Sequence, residues 1–180
     1  DHHYDFKILQ AVMEVNEDQK TVLFPRMLNF FRGNLEGKKI AVWGLAFKPD
    51  TDDIREAPAL YMIRALLAAG ATVSAYDPEA MANVKGIFGE QINYATDEYA
   101  ALLQADALLI CTEWSIFRNP NFIAMKDLMA DTVIFDGRNL FDLEELTEKG
   151  LKTLLLDRGR DVKHLADYPT MMHNPWDFPH

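Results

Sequence analysis

Two cationic side chains stand where this chain could hold an anion. Lys48 follows the apolar stretch 39–43 and a single glycine, Gly44, whereas Arg138 follows the apolar stretch 133–135. A glycine directly after a strand lets backbone approach a phosphate closely, and an arginine can bind a phosphate through two parallel hydrogen bonds. If both loops lie on one edge of a sheet, the two cations predict a site for an anionic ligand.

The loop that starts at Gly44 does not have the glycine spacing of a dinucleotide-binding turn. That turn carries three glycines in the order G-x-G-x-x-G, whereas Gly44 stands alone and bulky Leu45 and Phe47 follow it. Two interpretations remain open. Gly44 forms a simple tight turn, or it gives a phosphate access to the backbone.

An acidic cluster follows the same loop. Asp50, Asp52 and Asp53 precede a helix predicted from residue 57, and we expect them to cap it, since carboxylates complement the positive end of a helix. A metal is disfavoured because the glycine and glutamate of a calcium loop do not follow. Arg55 stands among these acids, which favours a local ion pair.

The segment Cys111 to Trp114 ends another apolar stretch. Thr112 and Glu113 are expected either to cap a helix or to line a nucleotide pocket, with Trp114 packing nearby. Cys111 ends a run of apolar residues, which favours a small buried side chain over a nucleophile.

These loops must be positioned by an alternation of strands and helices. Strands are predicted at 39–43, 72–76, 92–94, 107–111, 133–135 and 151–156. Helices are predicted at 57–69, 81–88, 97–103, 121–129 and 142–149. This order predicts an α/β fold with a doubly wound, mostly parallel sheet and helices on both faces, a Rossmann-like architecture.

A long amphipathic helix is predicted before the sheet, over residues 4–31, with a kink or a second helix start at Pro25 and a stop at Gly33. Such a helix bridges two domains, packs against a partner, or is an ordinary surface helix. We expect the long helix over 1–33, an α/β domain over 34–160 and an irregular, proline-rich tail over 161–180.

Composition excludes several partners. The chain has 28 acidic and 18 basic residues and a net charge of -10, so we expect it not to bind nucleic acid or an anionic membrane. No apolar run approaches the roughly 20 residues of a membrane span, and we expect no secretion signal, because the first residues have neither a basic flank nor an apolar core. The single cysteine fits a reducing cytoplasm. Because the chain does not begin with Met, we expect a fragment of a longer protein.

Five motifs together resemble one enzyme family. They are residues 15–20, 44–56, 76–78, 111–114 and 135–138. In this order they are similar to the UDP-glucose/GDP-mannose dehydrogenase family, specifically its C-terminal UDP-binding domain, over about residues 5–160. The Thr-Glu-Trp sequence at 112–114 looks more like the UDP-glucose 6-dehydrogenases of the family than its GDP-mannose enzymes.

The resemblance implies an oxidoreductase that converts UDP-glucose to UDP-glucuronate in two NAD-dependent steps. By position, Phe47 and Lys48 would contact the UDP-sugar substrate, and so would Arg138. Arg55 would reach toward the NAD cofactor, which an N-terminal domain absent from this chain would hold. The long helix would form a homodimer.

The departures from the family pattern limit what this chain can do alone. The dinucleotide fingerprint and the catalytic-cysteine motif are both absent, so we expect a UDP-sugar-binding part without redox activity. The alternatives are a stand-alone nucleotide-sugar-binding or regulatory module, and the same domain of a UDP-N-acetylmannosamine or GDP-mannose dehydrogenase. A flavodoxin-like receiver is disfavoured because later strand ends lack a matched aspartate and lysine.

Overall fold

A computed structural model describes residues 23–155 of the chain. The strands are β1 (Lys39–Trp43), β2 (Thr72–Tyr76), β3 (Asn93–Tyr94), β4 (Ala107–Ile110), β5 (Val133–Asp136) and β6 (Lys152–Leu155). The helices are α1 (Leu23–Phe30), α2 (Pro58–Ala68), α3 (Met81–Phe88), α4 (Glu98–Leu102), α5 (Phe122–Leu128) and α6 (Leu143–Glu148), and short 3-10 turns cover Gly89–Gln91 and Ser115–Phe117. The predicted strands and the helices between them are confirmed to within one residue at each end.

The strands form one parallel sheet in the order β3-β2-β1-β4-β5-β6. The first strand, β1, lies in the middle of this sheet. The chain then forms β2 and β3 on one side of β1 and returns to form β4, β5 and β6 on the other side. The order therefore reverses between β1 and β4, and the doubly wound, Rossmann-like prediction is confirmed. Ligands of such sheets bind beyond the carboxyl ends of the strands at this reversal.

The central strands are covered on both faces. Every residue from Ile40 to Trp43 in β1, and every residue of β4 and β5, is fully buried. Since successive side chains of a strand point to opposite faces, both faces must carry a packed layer. A sheet buried on both sides leaves the loops beyond its strand ends as the parts that can reach solvent, as Phe47 does.

Side-chain caps fix the starts of three helices. Asp97 accepts a hydrogen bond from the backbone N–H of Ala100, and Asn121 and Asp142 each accept two such bonds at the starts of α5 and α6. Helix α2 is different. Its N-cap is Ala57, which makes no side-chain cap bond, and Pro58 occupies the first turn.

The prediction that the acids before α2 cap it is therefore wrong. Proline at the first helical position has no N–H to satisfy, and its fixed φ already suits a helix start. The Asp53 carboxylate instead accepts hydrogen bonds from Arg55. The acidic cluster belongs to the loop and leaves the helix to begin by itself.

Helix α1 packs on the sheet. Met27 is fully buried, and the ring of Phe30 meets that of Phe135 edge-on at 5.8 Å between centroids. The helix ends with hydrogen bonds from the N–H groups of Gly33 and Arg32 back to Leu28 and Asn29, so the stop expected at Gly33 is confirmed.

Pro25 is the third residue of α1 as described. The residues before Leu23, which would distinguish a kink from a second helix start, lie outside the described residues, as does the tail at 161–180. Across residues 23–155, no helix is both long and apolar enough to cross a membrane.

Candidate functional site

The turn after β1 is shaped by close approach of two strand ends. Gly44 has φ of 88°, and a Cβ added there would lie 2.5 Å from Cβ and 2.7 Å from the backbone nitrogen of Thr112. Only glycine fits both the dihedral and the space. The need for a glycine therefore comes from Thr112, two residues beyond β4, and a bound phosphate is not required to explain it.

A carboxylate inside the chain occupies the amides of this turn. Oδ2 of Asp77, directly after β2, accepts hydrogen bonds from the backbone N–H groups of Leu45 at 2.7 Å and Ala46 at 3.0 Å. The same oxygen accepts a third bond, from the indole Nε1 of Trp114, at 3.0 Å. Asp77 is 1% exposed, so these protein donors, and not water, hydrogen-bond its buried carboxylate.

The second oxygen of Asp77 holds the start of the next helix. Oδ1 accepts hydrogen bonds from the backbone N–H groups of Glu79 at 2.9 Å and Ala80 at 2.8 Å. Sequence reasoning placed Asp77 only at a strand end. A short acid between a strand and a proline is a turn signal, but nothing local to it points to Leu45 or Trp114.

The residues after β4 clamp the same turn. The Thr112 hydroxyl donates a hydrogen bond of 2.6 Å to the carbonyl of Ala46 and is fully buried. The 3-10 turn that follows has Trp114 at its N-cap, with no side-chain cap bond. A capping role for Thr112 and Glu113 is therefore wrong, while packing of Trp114, which is 6% exposed, is confirmed.

Phe47 and Lys48, the two residues after Ala46, are exposed to solvent. Leu45 and Ala46 are fully buried, whereas Phe47 is 49% exposed and Lys48 is exposed. The backbone N–H of Phe47 donates to the carbonyl of Asp53 at 2.8 Å, which closes the loop on itself. An aromatic and a cationic residue, adjacent in sequence, are thus exposed just beyond the carboxyl end of β1.

Arg55 forms the local ion pair expected for it. Its Nη2 lies 2.7 Å from Oδ2 of Asp53, and its Nε and backbone N–H also donate to that carboxylate. These hydrogen bonds, helped by the positive charge of Lys48, lower the pKa of Asp53 to about 2. The Arg55 side chain is 87% exposed, so the pair leaves its outer face open.

Arg138 is paired as well. Its Nε and Nη2 donate to the two carboxylate oxygens of Glu113 at 2.5 and 2.8 Å, a bidentate contact between the loops after β4 and β5. The contact lowers the pKa of Glu113. Both side chains remain partly exposed, at 37% and 26%, so the unused donors of the guanidinium can still meet a ligand.

The loop that carries Arg138 is fixed from below by Asp136. The buried carboxylate accepts hydrogen bonds from the backbone N–H groups of Arg138, Leu140 and Phe141 at 3.0, 2.7 and 3.0 Å. Burial raises the pKa of Asp136, and the backbone donors oppose that rise. Gly137 has no room for a side chain, since a Cβ there would lie 2.7 Å from the carbonyl oxygen of Ile110.

Lys48 and Arg138 stand on the same edge of the sheet but on separated strands. Strand β4 lies between β1 and β5, so the loop carrying Glu113 runs between the two cations. The structure joins Arg138 to Glu113, and it keeps Phe47, Lys48 and Arg55 on one loop. Sequence reasoning included Asp77 and Asp136 in its motifs but missed their hydrogen-bonding roles and the partner of Arg138.

Cys111 is a core residue. It is 5% exposed, and burial raises the pKa of its thiol to about 12. A thiol that stays protonated at neutral pH is a poor nucleophile. The expectation that Cys111 is buried is confirmed. In the part of the chain that the structure covers, no group of three or more His, Cys, Asp or Glu residues is placed to hold a metal ion.

Comparisons with known proteins give the family. A sequence profile described as the UDP-glucose/GDP-mannose dehydrogenase family, UDP binding domain, matches residues 41–143. The chain is 46% identical over 147 residues to UDP-glucose 6-dehydrogenase TuaD of Bacillus subtilis, covering 82% of this chain and 32% of that protein. It is 43% identical over 152 residues to a UDP-glucose 6-dehydrogenase of Pseudomonas aeruginosa, covering 82% and 34%.

A solved UDP-glucose dehydrogenase from Pyrobaculum islandicum has the same fold, with a TM-score of 0.61 and 31% identity over 77% of this chain and 30% of that one. The chain spans about a third of the length of the curated relatives named above. The profile match, the parallel sheet and the motif-bearing loops agree, and the chain belongs to the UDP-glucose/GDP-mannose dehydrogenase family as its UDP-binding domain.

Proposed function

We propose that this chain is the substrate-binding part of a UDP-glucose 6-dehydrogenase. The observation that carries the proposal is the loop after β1, which buries Leu45 and Ala46 and presents Phe47 and Lys48 at the reversal of the sheet. The relatives with 43–46% identity are named UDP-glucose 6-dehydrogenases, which supports glucose as the sugar.

In this proposal each exposed side chain contacts its own part of the substrate. The Lys48 ammonium neutralises the diphosphate or contacts the sugar, and the half-exposed Phe47 ring packs against an apolar face of the nucleotide sugar. Arg138 binds the anionic or sugar part with donors that Glu113 does not use. Each role is one that the residue's chemistry and exposure permit.

The turn after β1 does not fit NAD in the manner of a dinucleotide-binding domain. The amides that would face a pyrophosphate are bonded to Asp77, and the additional glycines are absent. We therefore assign no redox step to this domain. NAD would be held by another part of the parent enzyme, and the 87% exposed Arg55 is the group that would reach toward it.

The parent reaction would oxidise the C6 alcohol of UDP-glucose to a carboxylate with two molecules of NAD. This domain would bind and orient the substrate for that chemistry, in a cytoplasmic homodimer assembled through the helix predicted before residue 33. The catalytic cysteine would belong to the NAD-binding part, because Cys111 is buried with a raised pKa.

Calorimetric titration tests the proposal. The chain is titrated with UDP, UDP-glucose, UDP-N-acetylmannosamine and GDP-mannose under identical conditions. Heat from UDP-glucose and UDP, with weaker signals from the other two sugars, is the expected result. Preference for UDP-N-acetylmannosamine or GDP-mannose would assign the domain to another enzyme of the family. No heat with any of the four would reject a preformed nucleotide-sugar site.

A further inference from the structure

The loops that follow the carboxyl ends of the strands form one rim of the sheet. Asp77 sits at the centre of this rim, although no proposed ligand contact involves it. Five donors converge on its carboxylate: three on Oδ2, from Leu45, Ala46 and Trp114, and two on Oδ1, from Glu79 and Ala80. They come from the loops after β1, β2 and β4, the three strands around the reversal of the sheet. One fully buried charge therefore ties three loops together.

The carboxylate occupies the place of an external anion. In a dinucleotide-binding sheet, backbone amides just after the first strand point at a phosphate. Here the amides of Leu45 and Ala46, directly after Gly44, point at Oδ2 of Asp77 at 2.7 and 3.0 Å. The two N–H groups are satisfied within the chain, and a phosphate would have to displace a buried charge to reach them.

The contact is relayed to the exposed side chains through the backbone. Both backbone polar groups of Ala46 are hydrogen-bonded. Its N–H donates to Oδ2 of Asp77, and its carbonyl accepts a hydrogen bond of 2.6 Å from the Thr112 hydroxyl. Phe47 is the next residue, and its own N–H is held by the carbonyl of Asp53. The direction in which Phe47 and Lys48 leave the sheet is thus set by the geometry at Ala46.

We propose that Asp77 is the built-in anion of this turn: it positions Phe47 and Lys48 for the nucleotide sugar and closes the turn to external phosphate. The first half rests on the proposed function. The second half is independent of it, because it concerns only the amides of Leu45 and Ala46.

Asp77→Asn tests the positioning role. An asparagine keeps one acceptor oxygen, and its NH₂ must face at least two of the five N–H donors. We expect faster amide hydrogen exchange at Leu45 and Ala46, with β4 and β5 still protected. We also expect UDP affinity to fall by about tenfold or more, since hydrogen bonds to a charged acceptor are lost.

Asp106→Asn is the matched control. Its carboxylate accepts a hydrogen bond of 2.8 Å from the backbone N–H of Lys39, at the amino end of the same strand β1 and away from the rim. This variant should lose thermal stability yet keep the affinity for UDP and the exchange rates at Leu45 and Ala46. Equal losses of affinity in the two variants at equal stability would reduce Asp77 to a general structural residue and overturn the positioning role.

Asp77→Ala tests the closure of the turn. Removing the carboxylate leaves four backbone amides and the Trp114 indole without their acceptor, and small anions should now fill the space. Formate and inorganic phosphate should raise the thermal midpoint of Asp77→Ala well above their effect on the unmodified chain, with sodium chloride at equal ionic strength as the reference. No difference between the variant and the unmodified chain would overturn the built-in anion.

The outcomes separate this proposal from the proposed function. If the unmodified chain fails to bind UDP, the exchange and anion measurements still decide the role of Asp77, because neither needs a nucleotide. If Asp77→Asn does not fold, the formate measurement decides. Recovery of a cooperative unfolding transition of Asp77→Ala in formate supports the proposal, and no recovery contradicts it.

Discussion

Arg138 and Glu113 form a two-pronged ion pair that joins the loops after adjacent strands β4 and β5. A lone guanidinium on the rim would be free to choose its rotamer. Paired in this way, Arg138 presents a fixed edge of unused donors, so less order has to be imposed when a ligand binds. The pair is therefore a preorganised part of the proposed site.

Glu113→Gln should weaken the domain at neutral pH more than at acidic pH. The ion pair lowers the pKa of Glu113 in the folded chain below the ordinary value of 4.5. The pair therefore stabilises the folded chain fully above pH 4.5, and this stabilisation is lost as the pH falls through the lowered pKa. Both side chains reach solvent, so we expect a loss of up to about 1 kcal/mol at neutral pH. Urea unfolding at pH 7 and pH 3 measures it.

The exposed pair of Glu145 with Lys149 supplies the control for this prediction, and Glu145→Gln should cost at most about 0.5 kcal/mol. A gap between the unmodified chain and Glu113→Gln that stays constant from pH 7 to pH 3 would contradict the assignment.

Lys48→Ala and Arg138→Ala should each weaken UDP-glucose binding by about 1–3 kcal/mol, roughly 5- to 150-fold in Kd. Each removes one proposed charged contact to the ligand and leaves the buried carboxylates of Asp77 and Asp136 in place. Calorimetry gives the affinities, and circular dichroism confirms the fold. Lys152→Ala is the control, because Lys152 is the first residue of β6. It lies at the amino ends of the parallel strands, whereas Lys48 and Arg138 follow the carboxyl ends. Unchanged affinity in the two rim variants would remove both residues from the site.

Gly44→Ala should destabilise the chain by about 2–5 kcal/mol, the sum of a left-handed dihedral and overpacking. The added Cβ would lie 2.5 Å from Cβ of Thr112, and both residues are buried in the loops that follow β1 and β4. Gly86→Ala is the matched control, because Gly86 lies within α3 and a Cβ there meets nothing within 4 Å. It should stabilise the helix by up to about 1 kcal/mol. Thermal unfolding compares the two, and similar midpoints would refute the close-approach argument.

The fold could be predicted from the sequence because its signals are local. The buried strands β1, β4 and β5 are short apolar runs, and Asp97, Asn121 and Asp142 stand directly before the helices that they cap. A periodicity or a cap depends on residues within a few positions of each other. Such features survive without any knowledge of tertiary contacts.

The site could be predicted only in part because its bonds are long-range in sequence. Asp77 is 32 residues from Leu45 and 37 from Trp114, and Glu113 is 25 from Arg138. The rim position of Lys48 and Arg138 followed from strand order, but the partner of Arg138 did not. The error at Asp53 has a local cause instead: its nearness to α2 suggested a cap, whereas its carboxylate pairs with Arg55 and Pro58 begins the helix without a side-chain cap.

Cys111→Ala should remove a loss of stability at alkaline pH. Burial raises the pKa of the thiol from 9.0 to about 12, so the folded state keeps a proton that the unfolded chain releases. The resulting stability is complete below pH 9 and declines as the pH rises toward 12, by about 1.4 kcal/mol per pH unit. Denaturant midpoints from pH 8 to 11 should fall more steeply for the unmodified chain than for the variant. Parallel slopes would show an accessible thiol.

The chain alone should not reduce NAD, even with saturating UDP-glucose. The β1 turn gives its amides to Asp77, the described cysteine is buried, and the redox chemistry is proposed to lie in another part of the parent enzyme. Absorbance at the NADH band measures turnover, and the full-length parent provides the positive control. The same protein sample is first shown to bind UDP, so that inactivity cannot be blamed on misfolding. NADH formed by the chain in proportion to its concentration would overturn the division of labour between the two parts.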